Sequence, residues 1–380
     1  MSGAPAASPA LQAELAQPYS GPVPARRLLT SLPLVLAVAL AACDAAASVP
    51  HAAPGSRRPS PAVTRASPGS APSPDITLEF AGDVHFTGRT AALLKDPASA
   101  FGPISAVLGS ADLAMLNLET AVTSRGTPQP KTYHFRTTPT AFTALRDAGV
   151  DLVTMANNHA LDYGQVGLAD TLAAARAARF PVVGIGVNAA AAWAPYVTTI
   201  RGTPIAIVAV SQVAELASSW VATNSRPGEA NAINLGRTLA AVRTARRLAR
   251  IVIVFVHWGT EGQACPDANQ LSLAPKLAAA GASIIIGSHA HMLQGSGWLG
   301  HTFVAYGMAN FLWWENSFST ATGILRLTVP RRGSLSAHFI PAEVSATGQP
   351  VLLSGAAARQ AAAHYASLRS CTGLSARPPS

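Results

Sequence analysis

From residue 76 onward the chain repeats one pattern, a short, largely apolar strand-like run that ends abruptly in polar residues. The runs lie at 76–81, 113–116, 152–155, 251–256 and 284–286. Between them, 139–148, 165–178, 231–249 and 270–280 are rich in Ala, Leu and Arg and have helical character. Alternation of strand and helix predicts an α/β fold whose sheets are covered by helices. The later runs 303–308, 323–329 and 336–341 have no helix between them and read as antiparallel strands. The sequence has no long-period repeat.

The first 74 residues follow another pattern. Arg26 and Arg27 precede a nearly all-apolar run over 28–42, which closes in Leu40-Ala41-Ala42-Cys43. A positive start, an apolar stretch of about 15 residues and a small-residue end are the layout of a secretory signal. The run is short for a permanent span, which needs about 20 residues. Its end resembles a bacterial lipobox, so Cys43 is expected to be lipidated and to anchor the mature chain outside the cytoplasm; the export route stays open. Residues 44–74 are Ala, Ser, Pro and Gly with scattered Arg, a composition that cannot bury enough to offset its ordering entropy and should act as a tether. The expected organisation is therefore signal peptide (1–43), linker (44–74), folded domain (75–345) and C-terminal segment (346–380).

Composition agrees with a large soluble core, since 49% of the 380 residues are hydrophobic and only 12% are charged. The net charge of +9 is not concentrated in a Lys/Arg-rich block, so nucleic acid is not the expected partner, whereas an anionic substrate or cell surface suits it. Beyond Cys43 only Cys265 and Cys371 remain. An oxidising exterior would permit them to pair, tying the C-terminal segment to the loop after His257.

The strand ends carry the candidate chemistry. They supply seven candidate donors, Asp83, His85, Glu119, Asn158, His257 and the i, i+2 pair His289/His291, with His159 directly after Asn158. A histidine where a buried strand ends is held rigidly yet faces a crevice, as a catalytic metal ligand must. Any one of these residues alone reads more readily as structural; together they do not. Mixed carboxylate, amide and imidazole donors without thiolate suit Mn, Fe or Zn. Seven donors are too many for one ion, and two ions roughly 3.5–4 Å apart would use them, clamping a phosphoryl oxygen and activating water.

Asp83-x-His85, Asn158-His159, His257 and His289-x-His291 match the motif order of calcineurin-like metallophosphoesterases. The fuller strings Asn117-Leu118-Glu119, Asn157-Asn158-His159-Ala160-Leu161-Asp162-Tyr163-Gly164, His257-Trp258-Gly259 and Tyr306-Gly307-Met308-Ala309-Asn310-Phe311 resemble the CapA family of poly-γ-glutamate (capsule) biosynthesis proteins over about 76–341. The resemblance implies a two-sheet sandwich flanked by helices and a membrane-tethered role at the envelope. It assigns Asp83, His85 and His291 to one ion and Asn158, His257 and His289 to the other, with Glu119 between them. His159 would be the general acid, and Asp162 would orient its imidazole and raise its pKa. Arg89, Lys131 and Arg136 are candidate anion binders, and Asn310 and Trp314 candidates to line a substrate groove. Two departures stand out. Glu119 replaces the bridging Asp of the broad phosphoesterase pattern, and Ala290 replaces the family's usual proline.

These readings leave two functions open. One is a dinuclear-metal hydrolase acting on a phosphoester or an amide of an anionic envelope polymer. The other is a non-catalytic accessory protein that binds polyglutamate or assists its synthesis and export alongside membrane components of a capsule synthesis complex. The chain has no Gly-x-x-x-x-Gly-Lys-Ser/Thr loop, so ATP-driven polymerisation is not expected here.

Overall fold

The computed structural model describes residues 75–380, so the signal, lipobox and linker assignments lie outside the described residues. The elements that position the site are β1 (Ile76–Val84), β2 (Leu113–Leu118), α1 (Thr140–Asp147), β3 (Leu152–Thr154), α2 (Gly164–Ala178), β4 (Val182–Val183), β5 (Tyr196–Ile200), β6 (Thr203–Ser211), α3 (Leu235–Leu248), β7 (Ile251–Trp258), α4 (Ala268–Ala280), β8 (Ile284–His289), β9 (Leu293–Leu299), β10 (Thr302–Met308), β11 (Asn310–Leu312), β12 (Ala321–Val329), β13 (Ser336–Val344), β14 (Pro350–Leu352) and α5 (Gly355–Ser367). They form two large sheets. One runs β14-β13-β12-β1-β2-β3-β4 with β11 also on β1, and the other β9-β10-β8-β7-β6-β5.

Period-two alternation within the strands builds the layers. In β7, Ile251, Ile253 and Phe255 join a core shared with Leu78, Phe80 and Met115 of the other sheet. The intervening Val252, Val254 and Val256 pack instead with Val242 of α3 and Leu277 of α4. On the far side of the first sheet, Leu116 and Val153 pack with Phe142 and Leu145 of α1 and with Leu168 and Leu172 of α2. The order helix, sheet, sheet, helix is the expected sandwich, and a strand buried on both faces explains the unbroken apolar runs.

The four expected helices are present, each within a few residues of the range read from sequence. β12 and β13 are antiparallel as expected. β10 differs, pairing parallel with β8 and antiparallel only with β9. The Gly-containing strand β9 escaped the sequence reading and supplies the return pass that makes the parallel pairing reachable. Residues 346–380 belong to the same compact unit: β14 extends the first sheet, and Tyr365 of α5 stacks on Phe339 at 4.0 Å. Cys265 and Cys371 are joined, tying the loop after β7 to the C-terminal turn. No helix among the described residues is long and apolar enough to cross a membrane.

The chain changes sheet between β10 and β11 at Ala309, whose φ of 57° is left-handed. Its carbonyl accepts a hydrogen bond from the Asp83 amide at 2.9 Å. This approach requires glycine at 82, because a Cβ there would stand 1.8 Å from the Ala309 oxygen.

The disulfide closes a separation of 106 residues. The Cys265→Ser/Cys371→Ser double variant is expected to keep its secondary structure by circular dichroism and to lose about 2–4 kcal/mol in urea unfolding. A change within error would show that other contacts hold the C-terminal segment equally well.

Candidate metal centre

Parallel strands β1, β2, β3, β7 and β8 deliver their carboxyl ends to one place, where open α/β sheets bind ligands. The two sheets are joined there by the His289 amide, which donates to Asp83 Oδ2 at 3.1 Å. All seven predicted ligands are buried, and Asp83, Glu119, His257, His289 and His291 fall into two compact donor groups. Ligand atoms of Asp83, Glu119 and His257 lie within 4.8 Å of one another, as do those of Glu119, His289 and His291. Glu119 is common to both sets. His289 falls with His291 around Glu119, while its ring also lies 4.6 Å from that of His257. Asn158 Oδ1 is 2.8 Å from His257 Nε2, as two donors to one ion would be.

His85 is a special case. The Thr87 amide donates to its Nδ1 at 3.2 Å, which leaves the proton of the neutral ring on Nε2. Ligation through Nε2 therefore requires the other tautomer and the loss of the Thr87 bond. The ring is packed between Phe135 (4.4 Å) and Trp313 (4.3 Å).

Backbone and amide groups hold the donors in place. His289 and His291 both have positive φ, 89° and 54°, a conformation that non-glycine residues rarely adopt and that aims both imidazoles inward. The buried Asn117 side chain donates to Asp83 Oδ1 at 2.8 Å and lies 3.2 Å from His257 Nδ1. It accepts in turn from Asn157 at 2.9 Å. Ser288 Oγ also reaches His257 Nδ1, at 2.9 Å. Sequence reading assigned no role to Asn117, Asn157, Ser288, Phe135 or Trp313. The two asparagines were nonetheless legible, since each stands at a strand end beside a predicted ligand.

The electrostatics fit a cation. Burial, then repulsion from Asp83, pushes the Glu119 carboxyl well above its usual range. Burial also works against a charged His291, but the Asp83 hydrogen bond and the Glu119 charge outweigh it and hold that imidazole up at about 9. Glu119 Oε1, His85 Nε2 and His289 Nδ1 are buried with no hydrogen-bond partner. Orphaned donor atoms beside two carboxylates are what a bound divalent ion would satisfy.

Beside the cluster, His159 Nδ1 bonds Asp162 Oδ2 at 2.7 Å, and its Nε2 points toward Glu119 Oε1 at 3.9 Å. Asp162 thus orients the ring as expected. The expected rise in pKa is not found, because burial and then the Lys131 ammonium push His159 well below its usual range. Lys131 is not a free anion binder. Its side chain is 2% exposed and pairs with Asp162 and Glu215, each at 3.1 Å, and its ammonium donates to the Asn158 carbonyl. Arg89 is engaged by the Trp313 carbonyl (3.2 Å) and Asn316 (2.9 Å), and Arg136 lies over the Tyr163 ring at 4.7 Å. Asn310, expected in the groove, is buried behind His291 and fixes its Nδ1 at 2.8 Å, leaving Nε2 for a ligand. Trp314 stands half-buried 6.4 Å from His85, at the mouth.

Two predictions follow from this geometry. Asn117→Ala should keep the fold while weakening Mn²⁺ binding about 10- to 100-fold in a calorimetric titration, since it touches three donors without being one; unchanged affinity would remove Asn117 from the site. Glu229, near Lys131, is held up to about 8 by burial, which the Asn231 hydrogen bond only partly offsets. Between its ordinary value of 4.5 and about 8 the folded protein keeps a proton that the unfolded chain releases, so stability falls as pH rises through this window. Glu229→Gln should therefore raise the melting temperature at pH 8 relative to pH 5, compared with the parent. An equal shift at both pH values would contradict the assignment.

The comparisons with known proteins concern this same region. The family described as "Bacterial capsule synthesis protein PGA_cap" matches residues 77–313. PGA biosynthesis protein CapA of Bacillus subtilis is 27% identical over 286 residues, covering 73% of this chain and 74% of that protein. Capsule biosynthesis protein CapA of Bacillus anthracis is 29% identical over 185 residues, covering 48% of this chain and 44% of that one. Among solved structures, NAD nucleotidase of Haemophilus influenzae aligns with a TM-score of 0.45 at 13% identity, over 80% of this chain and 57% of its own. The matched span begins in β1 and ends just beyond β11, so it takes in every donor of the centre, and the chain belongs to the PGA_cap family of bacterial capsule synthesis proteins.

Proposed function

We propose that this protein is a dinuclear-metal-dependent hydrolase of the cell envelope, acting on a phosphoester or amide of an envelope polymer. We further propose that it is exported and tethered to the membrane through lipidated Cys43. The observation that carries the catalytic reading is Glu119, buried and common to two convergent donor sets, with Oε1 unpartnered. Asp83, Glu119, His257, His289, His291 and Asn158 would hold the metal, and His85 would join them in its other tautomer. Bound divalent ions supply Lewis-acid activation and neutralise charge that develops on the scissile group.

The chain's own residues supply orientation and proton handling. His159, fixed at Nδ1 by Asp162, presents Nε2 beside the bridging carboxylate, where it can hold or deliver a proton at the reacting group. Lys131 keeps Asp162 and the Asn158 carbonyl in register, so the ligand and the proton carrier move as one loop. Phe135 stacks on His159 at 4.2 Å and on His85, which keeps water off one face of both rings.

The test is metal content of the purified protein by elemental mass spectrometry, together with Mn²⁺-dependent hydrolysis of a chromogenic phosphodiester. We expect about two ions and measurable turnover. His159→Ala should keep the metal and lose about 10²- to 10⁴-fold in turnover, whereas Asp83→Ala should lose metal and activity together. Bound ions with no turnover on phosphoester or polymer would overturn catalysis in favour of an accessory binding role. Failure to load Mn²⁺ would end the metal reading altogether.

A further inference from the structure

Only two exposed aromatic side chains occur among the described residues, Tyr133 and Phe318, each 57% exposed, and both stand at the mouth of the metal centre. Phe318 lies parallel to His291, with ring centroids 5.9 Å apart and 9° between planes. It is held there by a left-handed backbone (φ 56°) and by close packing over Gly262. On the other side, Tyr133 meets Trp314 edge-on at 6.3 Å, and Trp314 stands over His85. Two aromatic faces are thus kept in water beside a buried ligand cluster, one of them on left-handed backbone.

Two partly exposed carboxylates lie at this mouth. Glu261 Oε1 is 4.0 Å from His291 Nε2, and its side chain is 48% exposed. The hydrogen bond from the Gly262 amide to the Ala290 carbonyl fixes its loop, and the disulfide at Cys265 anchors the same loop. Glu215, 42% exposed, faces inward to Lys131. The cations expected to receive an anion are engaged elsewhere, Lys131 by two carboxylates, Arg89 by Trp313 and Asn316, and Arg136 by Tyr163. An ionised carboxylate only accepts hydrogen bonds, so this rim suits a ligand that presents donors and a flat apolar face. A bare chain of glutamate residues offers no flat apolar face to stack on these rings.

We propose that Tyr133, Trp314, Phe318 and Glu261 form a subsite for a glycosyl ring, stacked on the aromatic faces with its hydroxyls donating to Glu261. The site would therefore act on a sugar-bearing linkage rather than on a bare polyglutamate chain. This deepens the hydrolase reading and rests on it for the reacting linkage, although the ring-binding step does not require turnover.

The experiment is calorimetric titration of the full-length protein, metal-free and Mn²⁺-loaded, with chitotetraose, cellotetraose and maltotetraose, and with polyglutamate and adenosine monophosphate for comparison. At least one neutral oligosaccharide should bind more tightly than polyglutamate. Phe318→Ala and Tyr133→Ala should each weaken that binding tenfold or more while metal content stays at the parent level. Tighter binding of polyglutamate or of the nucleotide, binding insensitive to both variants, or no binding of any oligosaccharide would each overturn the subsite. Sugar binding that survives in a protein unable to load metal or turn over would uphold the subsite while the hydrolase reading fell, so the two failures are distinct.

Discussion

Asp83 and Glu119 are two buried carboxylates that face one another's field where the two sheets meet, and the rest of the structure is arranged around that conflict. Like charges in a dry site cannot both ionise without a counter-charge. The chain supplies one in its own cluster by keeping His291 protonated, and provides several further donor atoms with nothing to bind. Nothing in folding rewards this arrangement. Replacing the cluster with apolar side chains would leave a sandwich whose strands already pack on both faces, so a cation that the cluster could hold, rather than stability, accounts for it.

The strain follows from the same constraint. For β8 to place two imidazoles beside carboxylates from the first sheet, the backbone at His289 and His291 must turn left-handed, and the amide of His289 must itself bond Asp83. For β1 to approach β10 closely enough, residue 82 must lack a side chain and Ala309 must turn its carbonyl toward Asp83. Each local conformation is costly alone, about 1–3 kcal/mol. The doubly covered sheets, locked by alternating Ile, Val and Phe, are rigid enough to hold them all. Ala290 lies between the two turned histidines, so the sheet fixes their geometry.

Much of this could be read from the chain because it depends on period and position. Apolar runs ending in Asp, Glu, Asn or His marked the strand ends, and parallel strands necessarily bring those ends together. What could not be read depends on side-chain direction. Lys131, Arg89 and Arg136 look alike in sequence, yet Lys131 turns inward to Asp162 and Glu215 while the others are taken up by a carbonyl, an amide and a ring. Asn310 is two residues past a strand end, much like the candidate donors, but it belongs to β11 and reaches His291 from behind. The parallel pairing of β10 was missed because it depends on β9, whose Gly-Ser-Gly core dilutes the apolar pattern.

The position of Asp162 separates a structural from a chemical reading of the His159 loop. A carboxylate against an imidazole ordinarily raises the ring's pKa, yet burial and the ammonium of Lys131 win here, and the ring rests neutral. Asp162 is itself pushed up to about 6, chiefly by burial and despite Lys131. His159 and Asp162 lie in one buried pocket, with His159 Nε2 as its outlet toward Glu119 Oε1, 3.9 Å away. A loop built only for structure would not leave that outlet facing Glu119, whose own oxygen there has no partner. On the proposed hydrolase reading, a reacting group held between the candidate metal ligands and the aromatic rim would complete the pair.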